Sequence, residues 1–330
     1  MLRPLRLMLL SLLQTLHSRL VRGPLRPSWS FTMELIVRFM RRDWDETASW
    51  SFLRVREAID TRPYPKPYLR KVTIRDEELA GMPARWFIPP GAPKDVALLY
   101  LHGGSYIYGS TRTSHADLIA HIALACGITA VGIDYRLAPE HPYPAQLEDA
   151  LRAFDALISR GIERIIVAGD SAGGNLAVML QIRLRDLGRD QGIATVLISP
   201  WADLTMPGRS FLENADFDFG TRDVLAVHAR AFAGDIPLDD PRISPIRANL
   251  AGLAPTFVAV GSAEIPRDDI VAFANALEKA GVDVTLHVAK DMPHMPVVFA
   301  DYHEEGRRCV EGLAGFVRRH ARPAAEQNMT

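Results

Sequence analysis

The sequence predicts an α/β fold in which a mostly parallel β-sheet carries helices on both faces. From residue 95 onward, short apolar segments alternate with longer amphipathic ones, as strands and helices do. The segment VALLYL is apolar throughout, which indicates a strand that is covered on both faces. Because such alternating elements are joined by right-handed crossovers, the strands are expected to run parallel between two helical layers.

The composition of the 330-residue chain is ordinary, with 48% hydrophobic and 23% charged residues. This length is enough to bury a large core, in one domain or in two. The 38 Lys and Arg residues nearly balance the 39 Asp and Glu residues, so we expect no nucleic-acid partner. Cys126 and Cys309 lie far apart without the spacing of metal ligands, so we expect buried free thiols and no bound metal.

Residues 1–22 have the pattern of an amphipathic helix. The apolar run is too short to span a bilayer and no small-residue cleavage site follows it, so we expect a helix that is retained. We favour a helix that packs its apolar face against the protein, and a face that lies on an anionic membrane surface is the alternative. The apolar positions are Leu5, Leu9, Leu12, Leu13, Leu16 and Leu20.

The next segments are a second helix and a pair of strands. The helical segment Phe31–Arg42 follows several glycine and proline residues, and a Pro-rich connector runs from Arg62 to Pro67. After this connector, KVTIRD and ARWFIPP have the pattern of two antiparallel strands at the edge of the sheet.

The alternation of strands and helices stops between Asp203 and Asn249. This segment has no clear strand and contains the helical stretch TRDVLAVHARAFAG. An insertion of this length in an α/β protein is typical of a lid. We therefore predict a helical cap, made of residues 1–50 and an insertion at about 203–249, over a catalytic domain of residues 51–330.

A nucleophile motif lies between a strand and a helix. The segment Gly169-Asp170-Ser171-Ala172-Gly173 fits G-x-S-x-G, with the strand RIIVAG before it and the helix NLAVMLQIRL after it. In this context the motif forms a sharp turn that exposes the serine above a helix N-terminus, which favours negative charge. The sequence therefore predicts an α/β-hydrolase fold with Ser171 as the nucleophile.

A glycine-rich loop, His102-Gly103-Gly104-Ser105, follows the buried strand VALLYL. Loops of this kind form the oxyanion hole of lipases and esterases. We expect the backbone amides of Gly104, Ser105 and Ala172 to be the donors, with Gly103 as a further candidate. Ser105 stands where a third glycine is usual, so its backbone must accept the geometry of that glycine.

The base and the acid of the triad are expected after later strands. His294 follows the strand VTLHVA near the end of the chain, as the order serine, acid, histidine requires. Three acids, Glu264, Asp268 and Asp269, follow the strand TFVAVGS. Asp268 and Asp269 begin a helix, where capping and the helix dipole explain acidic residues. We therefore predict that Glu264 orients His294, with Asp268 as the alternative.

Several motifs occur in the order found in a known enzyme family. The sequence resembles the hormone-sensitive-lipase-like esterases, a bacterial family IV group, in their GDSAG subgroup. The motifs are HGGS at 102–105, DYRLAPEHPYPA at 134–145, GDSAGG at 169–174, SPWAD at 199–203 and MPH at 292–294. The resemblance implies a serine carboxylesterase for small esters with short to medium acyl chains. It also implies that no cofactor is needed, that helices form a cap and that DYRLAPEH is a turn supporting the oxyanion loop.

The acid position departs from the pattern of that family. Where the family commonly has D-x-L-x-D, this chain has Glu264-Ile265-Pro266-Arg267-Asp268. Hydrolysis of lactones or amides by the same triad, and a non-catalytic ligand receptor, remain alternative functions, since specificity resides in the site and not in the fold. We expect a cytoplasmic protein. The sequence leaves open a peripheral membrane contact through the N-terminal helix and a homodimer.

Overall fold

A computed structural model describes residues 2–62 and 66–322 of the chain. The central part of the predicted Pro-rich connector, residues 63–65, and the terminal residues 323–330 lie outside the described residues. Among the described residues, eight strands form one sheet. They are Thr73–Leu79 (β1), Met82–Ile88 (β2), Val96–Leu101 (β3), Thr129–Ile133 (β4), Arg164–Asp170 (β5), Ala194–Ile198 (β6), Thr256–Gly261 (β7) and Val284–Ala289 (β8).

Helices pack on both faces of this sheet. They are Leu2–Arg22 (α1), Phe31–Thr47 (α2), Phe52–Asp60 (α3), Ala116–Cys126 (α4), Ala145–Ser159 (α5), Ala172–Asp186 (α6), Ser210–Glu213 (α7), Arg222–Ala233 (α8), Arg267–Lys279 (α9) and Glu304–His320 (α10). No helix within the described ranges combines the length and the hydropathy needed to cross a membrane.

The strand order is β1-β2-β4-β3-β5-β6-β7-β8. The six strands β4, β3, β5, β6, β7 and β8, in their order across the sheet, pair in parallel. Strand β2 pairs antiparallel with both β1 and β4. The β1–β2 hairpin closes through Ala80 and Gly81, both with positive φ, as a two-residue turn between twisted strands requires. The mostly parallel sheet and its antiparallel edge pair are confirmed.

The alternation of side chains along β3 divides the core into two layers. Leu98 and Tyr100 pack on one face of the sheet with α4 and α10. Leu99 and Leu101 pack on the opposite face with α5, α6 and α9. Because each face needs its own apolar residues, a strand between two helical layers is apolar at every position. This explains the uninterrupted segment VALLYL.

Cys126 in α4 and Cys309 in α10 are buried free thiols, as expected. Burial raises the pKa of both thiols to about 12. At neutral pH both residues are therefore protonated and behave as small apolar side chains.

The N-terminal helices differ from the expectation in two ways. Helix α2 extends to Thr47, and α3 was not anticipated. We expected the leucine face of α1 to pack inward, but α1 turns Leu7, Ser11 and Thr15 inward and leaves most of that face exposed. The reason is electrostatic, since arginines of α1 pair with carboxylates of α2 and thereby fix the rotation of the helix.

Candidate active site

The segment around Ser171 is a strained turn between β5 and α6. Ser171 has φ of 50° and ψ of −118°, a conformation that non-glycine residues rarely adopt. A Cβ on Gly169 would lie 2.3 Å from the carbonyl oxygen of Gly173, and one on Gly173 would lie 2.0 Å from that of Leu101. Both glycines of the motif are therefore required by close backbone approach. The turn places Ser171 in the wall of a large cavity.

His294 lies in the same cavity, in the loop that follows β8. Its Nδ1 is 2.6 Å from Oε2 of Glu264. Burial lowers the pKa of His294, but the hydrogen bond and charge of Glu264 outweigh it and raise the pKa above its ordinary value. Nε2 of the imidazole is left for a second partner.

Glu264 is fully buried after the end of β7, and its carboxylate is held on both oxygens. Oε1 accepts hydrogen bonds from the backbone N–H of Gly261 at 2.6 Å and from Oγ of Ser199 at 3.1 Å. Ser199 in turn accepts from the N–H of Met295, next to the histidine. These contacts leave Oε2 directed at the imidazole. A buried carboxylate with this many donors has a fixed orientation.

Asp268, the alternative acid, lies elsewhere. Its Oδ2 accepts a hydrogen bond from the N–H of Ser210 at 2.9 Å, and its own N–H donates to Oγ of Ser210 at 3.0 Å. This reciprocal pair joins the start of α9 to α7. The structure therefore brings Glu264, and not Asp268, into contact with His294.

The loop after β3 has three consecutive residues with positive φ, namely Gly104, Ser105 and Tyr106. A Cβ on Gly104 would lie 2.0 Å from the carbonyl oxygen of Tyr108, so only glycine fits there. Ser105 adopts φ of 54°, as its position in place of a glycine required. Gly104 and Ser105 both line the cavity beside Ser171. Strain of this kind is concentrated at functional sites.

Gly103, the further candidate for an oxyanion donor, does not have a free amide. Its N–H donates to Oδ1 of the buried Asp170 at 3.1 Å. The same carboxylate accepts from the hydroxyl of Tyr100 at 2.8 Å and lies 3.3 Å from Nε2 of His115. Because this amide already has a charged acceptor, it is not available to a substrate oxygen. Asp170 instead ties the glycine-rich loop to the turn that carries Ser171.

The segment DYRLAPEH lies beneath that loop. Tyr135 stacks on the ring of His102 with a centroid distance of 4.3 Å, and its hydroxyl donates to the carbonyl oxygen of His102. Arg136 pairs with Asp149 in α5 at 2.8 Å. Glu140 pairs with Arg56 of α3 at 2.7 Å. Arg136 and Glu140 are therefore engaged in ion pairs, and Tyr135 connects the segment to the glycine-rich loop.

Asp218, in the insertion before α8, joins the loops of the acid and the histidine, and sequence reasoning missed it. It is fully buried, and its Oδ1 accepts from the N–H of His294 at 3.1 Å and of Phe219 at 2.9 Å. Its Oδ2 accepts from the N–H of Ile265 at 2.8 Å. Burial raises the pKa of this carboxyl group. The only sequence feature that could have indicated this role is an acidic residue between two aromatic ones, in Phe217-Asp218-Phe219.

The cavity has a volume of about 920 Å³ and a wall built from several parts of the chain. Helix α2 contributes Met40 and Trp44, α3 contributes Phe52 and α8 contributes His228. Trp44, Phe52 and the loop residue Tyr108 surround His228, with ring centroids 5.7–6.1 Å from it. Burial lowers the pKa of His228 to about 4, so this ring is neutral at physiological pH. No described residue of α1 lines the cavity.

Known proteins are similar in sequence to this chain. Residues 98–298 match the family described as alpha/beta hydrolase fold. The chain belongs to this α/β-hydrolase family. It is similar to an acetyl-hydrolase of Streptomyces hygroscopicus, with 39% identity over 71% of this chain and 79% of that protein. It is also similar to carboxylesterase NlhH of Mycobacterium tuberculosis, with 34% identity over 80% and 86% of the two chains.

A solved α/β-hydrolase structure supports the same relationship. It is an esterase of the bacterial hormone-sensitive lipase family, with 36% identity and a TM-score of 0.79, covering 85% of this chain and 95% of that one. The resemblance to hormone-sensitive-lipase-like esterases is therefore confirmed. The predicted enzyme class, a carboxylic-ester hydrolase acting on small esters, is confirmed as well.

Proposed function

We propose that Ser171, His294 and Glu264 are the catalytic triad of a serine carboxylesterase, with Ser171 as the nucleophile. One observation carries this proposal: the 2.6 Å contact between His294 Nδ1 and Glu264 Oε2, in a cavity that Ser171 also lines. The carboxylate retains the proton on Nδ1, so Nε2 of the neutral imidazole is free to accept the proton of Ser171.

The reaction then proceeds through an acyl-enzyme. Ser171 Oγ attacks the ester carbonyl carbon while its proton passes to His294 Nε2, which forms a tetrahedral oxyanion. The carbon–oxygen bond to the alcohol breaks, and the alcohol leaves with the proton from His294. Water then attacks the acyl group by the same route in reverse and releases the carboxylic acid together with free Ser171.

The oxyanion would be stabilised by the backbone amides of Gly104, Ser105 and Ala172. Gly104 and Ser105 line the cavity in a strained loop, and Ala172 is the first residue of α6. The first amides of a helix have no partner within the helix and lie at its positive end. Donors held in this way need no rearrangement when charge develops in the transition state.

We propose that the predicted cap, residues 1–50 and the insertion at 203–249, also includes α3 and covers a catalytic domain formed by the rest of the chain. Met40 and Trp44 of α2 and His228 of α8 line the cavity. Phe52 of α3 lines it too, although it lies just outside the predicted boundary. The cap therefore acts on substrate through α2, α3 and α8.

The proposed substrates are small esters with short to medium acyl chains, because the cavity has a volume of about 920 Å³ and places apolar side chains such as Met40, Trp44 and Phe52 in the same wall as Ser171. The test is a panel of esters of graded acyl length, lactones and amides, with Ser171→Ala as the control. Faster turnover of lactones or amides than of esters would contradict the proposed substrate class and assign the enzyme to the faster one. No turnover in the whole panel would favour a receptor.

The pH dependence follows from the raised pKa of His294. Only the neutral imidazole acts as a base, so kcat/KM is expected to fall as the pH drops through a pKa above 6.5, the ordinary value of histidine. The measurement is kcat/KM for a soluble short-chain ester across the acid range. An acid limb below the ordinary histidine pKa would contradict the pairing with Glu264.

Trp44→Ala is expected to lower kcat/KM most for esters with long acyl chains. The indole lines the cavity and packs on Tyr108 and His228, so its loss removes apolar contact far from the reacting carbonyl. Each methylene that loses burial weakens binding about fourfold. Turnover of an acetyl ester should stay within a few-fold of the wild type. The exposed Leu187→Ala serves as a control, and an unchanged chain-length profile in Trp44→Ala would contradict the proposed role of the cap.

The predicted cytoplasmic location and the homodimer remain predictions. Neither affects the arrangement of Ser171, His294 and Glu264, which belong to one chain.

A further inference from the structure

Helix α1 presents a stripe of leucine side chains outward. Their spacing, four residues or three, places them on one face of the helix. The exposed fraction rises from 45% for Leu16 to 86% for Leu20. The stripe consists of Leu5, Leu9, Leu13, Leu16 and Leu20. A continuous apolar stripe of this kind on a surface indicates a binding partner.

The opposite face of α1 packs on α2 and carries Leu7 together with the small polar residues Ser11 and Thr15. Ser11 and Thr15 are fully buried there. Ion pairs fix this orientation: Arg3 pairs with Asp43 at 2.8 Å, and Arg19 pairs with the buried Glu34 at 2.8 Å. A rotation that buried the leucines would break these pairs. The contact between α1 and α2 therefore keeps the leucine stripe exposed.

The charge of this segment distinguishes between two binding partners for the stripe, a second copy of the chain and an anionic surface. Helix α1 contains Arg3, Arg6, Arg19 and Arg22 and no acidic residue. Residues 1–47 carry eight arginines against four acids, although the whole chain has a net charge of −1. If two copies paired through this stripe, two segments that each carry a net positive charge would be brought together. An anionic surface complements the same charges.

We propose that α1 docks parallel to the surface of an anionic lipid bilayer. The leucine stripe would enter the boundary between headgroups and acyl chains, and the net positive charge of residues 1–47 would attract the anionic headgroups. Arg6, beside the stripe, pairs with Glu46 of α2 and keeps 60% of its side chain exposed, so its long aliphatic stem adds to the same surface. The negative charge comes from lipid headgroups and not from a soluble anion, because only a bilayer also offers an apolar layer in which the leucines can be buried.

Docking in this way would place the ester-binding cavity near the bilayer. Helix α2 contacts α1 through Glu34 and lines the cavity through Met40 and Trp44. One helix, roughly 10 Å across, therefore separates the bilayer-facing helix from the cavity wall. Esters that partition into a membrane would have a short path to the enzyme.

The test is co-sedimentation of the full chain with phosphatidylcholine vesicles that contain or lack phosphatidylglycerol. We expect binding to the anionic vesicles, weak binding to the neutral ones and a decrease as salt is raised. The double variant Leu9→Glu, Leu13→Glu should lower the partition coefficient about thirtyfold, because two buried leucines are lost and negative charge is added. Both side chains are exposed, so the fold should be unaffected.

A matched control replaces two apolar residues of similar exposure outside α1, Ile158→Glu and Leu187→Glu, and should bind vesicles like the wild type. Ser171→Ala should also bind like the wild type, which separates docking from catalysis. Equal binding to neutral vesicles, or no binding to anionic ones, would overturn the proposal. A dimer that Leu9→Glu, Leu13→Glu converts to a monomer, without vesicle binding, would assign the stripe to a second copy.

Discussion

Ser171→Ala is expected to lower ester turnover by about a millionfold, the loss found when the nucleophile of a serine hydrolase is removed. Without the Oγ no acyl-enzyme forms, and the remaining oxyanion donors accelerate hydrolysis by water only weakly. The fold should be retained. Serine and alanine share the Cβ that makes φ of 50° unfavourable, so the strain of the turn does not change.

The measurement is covalent labelling by a fluorophosphonate, together with kcat for an acetyl ester. Wild type should label stoichiometrically and Ser171→Ala should not label. Ser159→Ala, on an exposed turn of α5 away from the cavity, provides a control that should label normally. Labelling of Ser171→Ala at the wild-type rate would show that another residue is the nucleophile.

Glu264→Gln is expected to lower kcat/KM by about 10⁴-fold, by analogy with an amide in place of the triad carboxylate in other serine hydrolases. The glutamine side chain is nearly isosteric, so Gly261 and Ser199 keep an acceptor. It removes the charge that stabilises the imidazolium, and its amide group can donate to Nδ1 and thereby favour the wrong tautomer.

Asp268→Asn is the matched control for Glu264→Gln, since Asp268 contacts Ser210 and not the imidazole. It should keep most of the activity. Residual activity of Glu264→Gln provides a second readout: the charge of Glu264 raises the pKa of His294, so its removal should move the acid limb to lower pH. The reverse ranking of the two variants would assign the role to Asp268.

Most of the fold could be predicted because its signals are local. The buried strand β3, the strand-to-helix turn at Ser171 and the edge pair β1–β2 follow from residues adjacent in sequence. The turn at Ser171 is an example, since the approach of Gly169 to Gly173 involves a contact four residues apart. Local steric rules therefore recover it from sequence alone.

Contacts between distant segments could not be predicted in the same way. Asp218 binds the N–H groups of Ile265 and His294, which are 47 and 76 residues away. The engagement of Gly103 by Asp170 likewise depends on two neighbouring strands. Every residue except proline has the same backbone N–H, so the sequence does not show which acceptor an amide will bind. Only the folded structure shows this.

The sequence by itself determined the family, the enzyme class and the candidates Ser171, His294 and Glu264, because each residue follows a strand in a recognisable motif. The tertiary structure decided that Glu264 rather than Asp268 contacts the imidazole. It also decided which face of α1 is exposed. Hydrophobic periodicity defines the apolar face of a helix but not the direction in which it points, and here ion pairs with α2 turn that face outward.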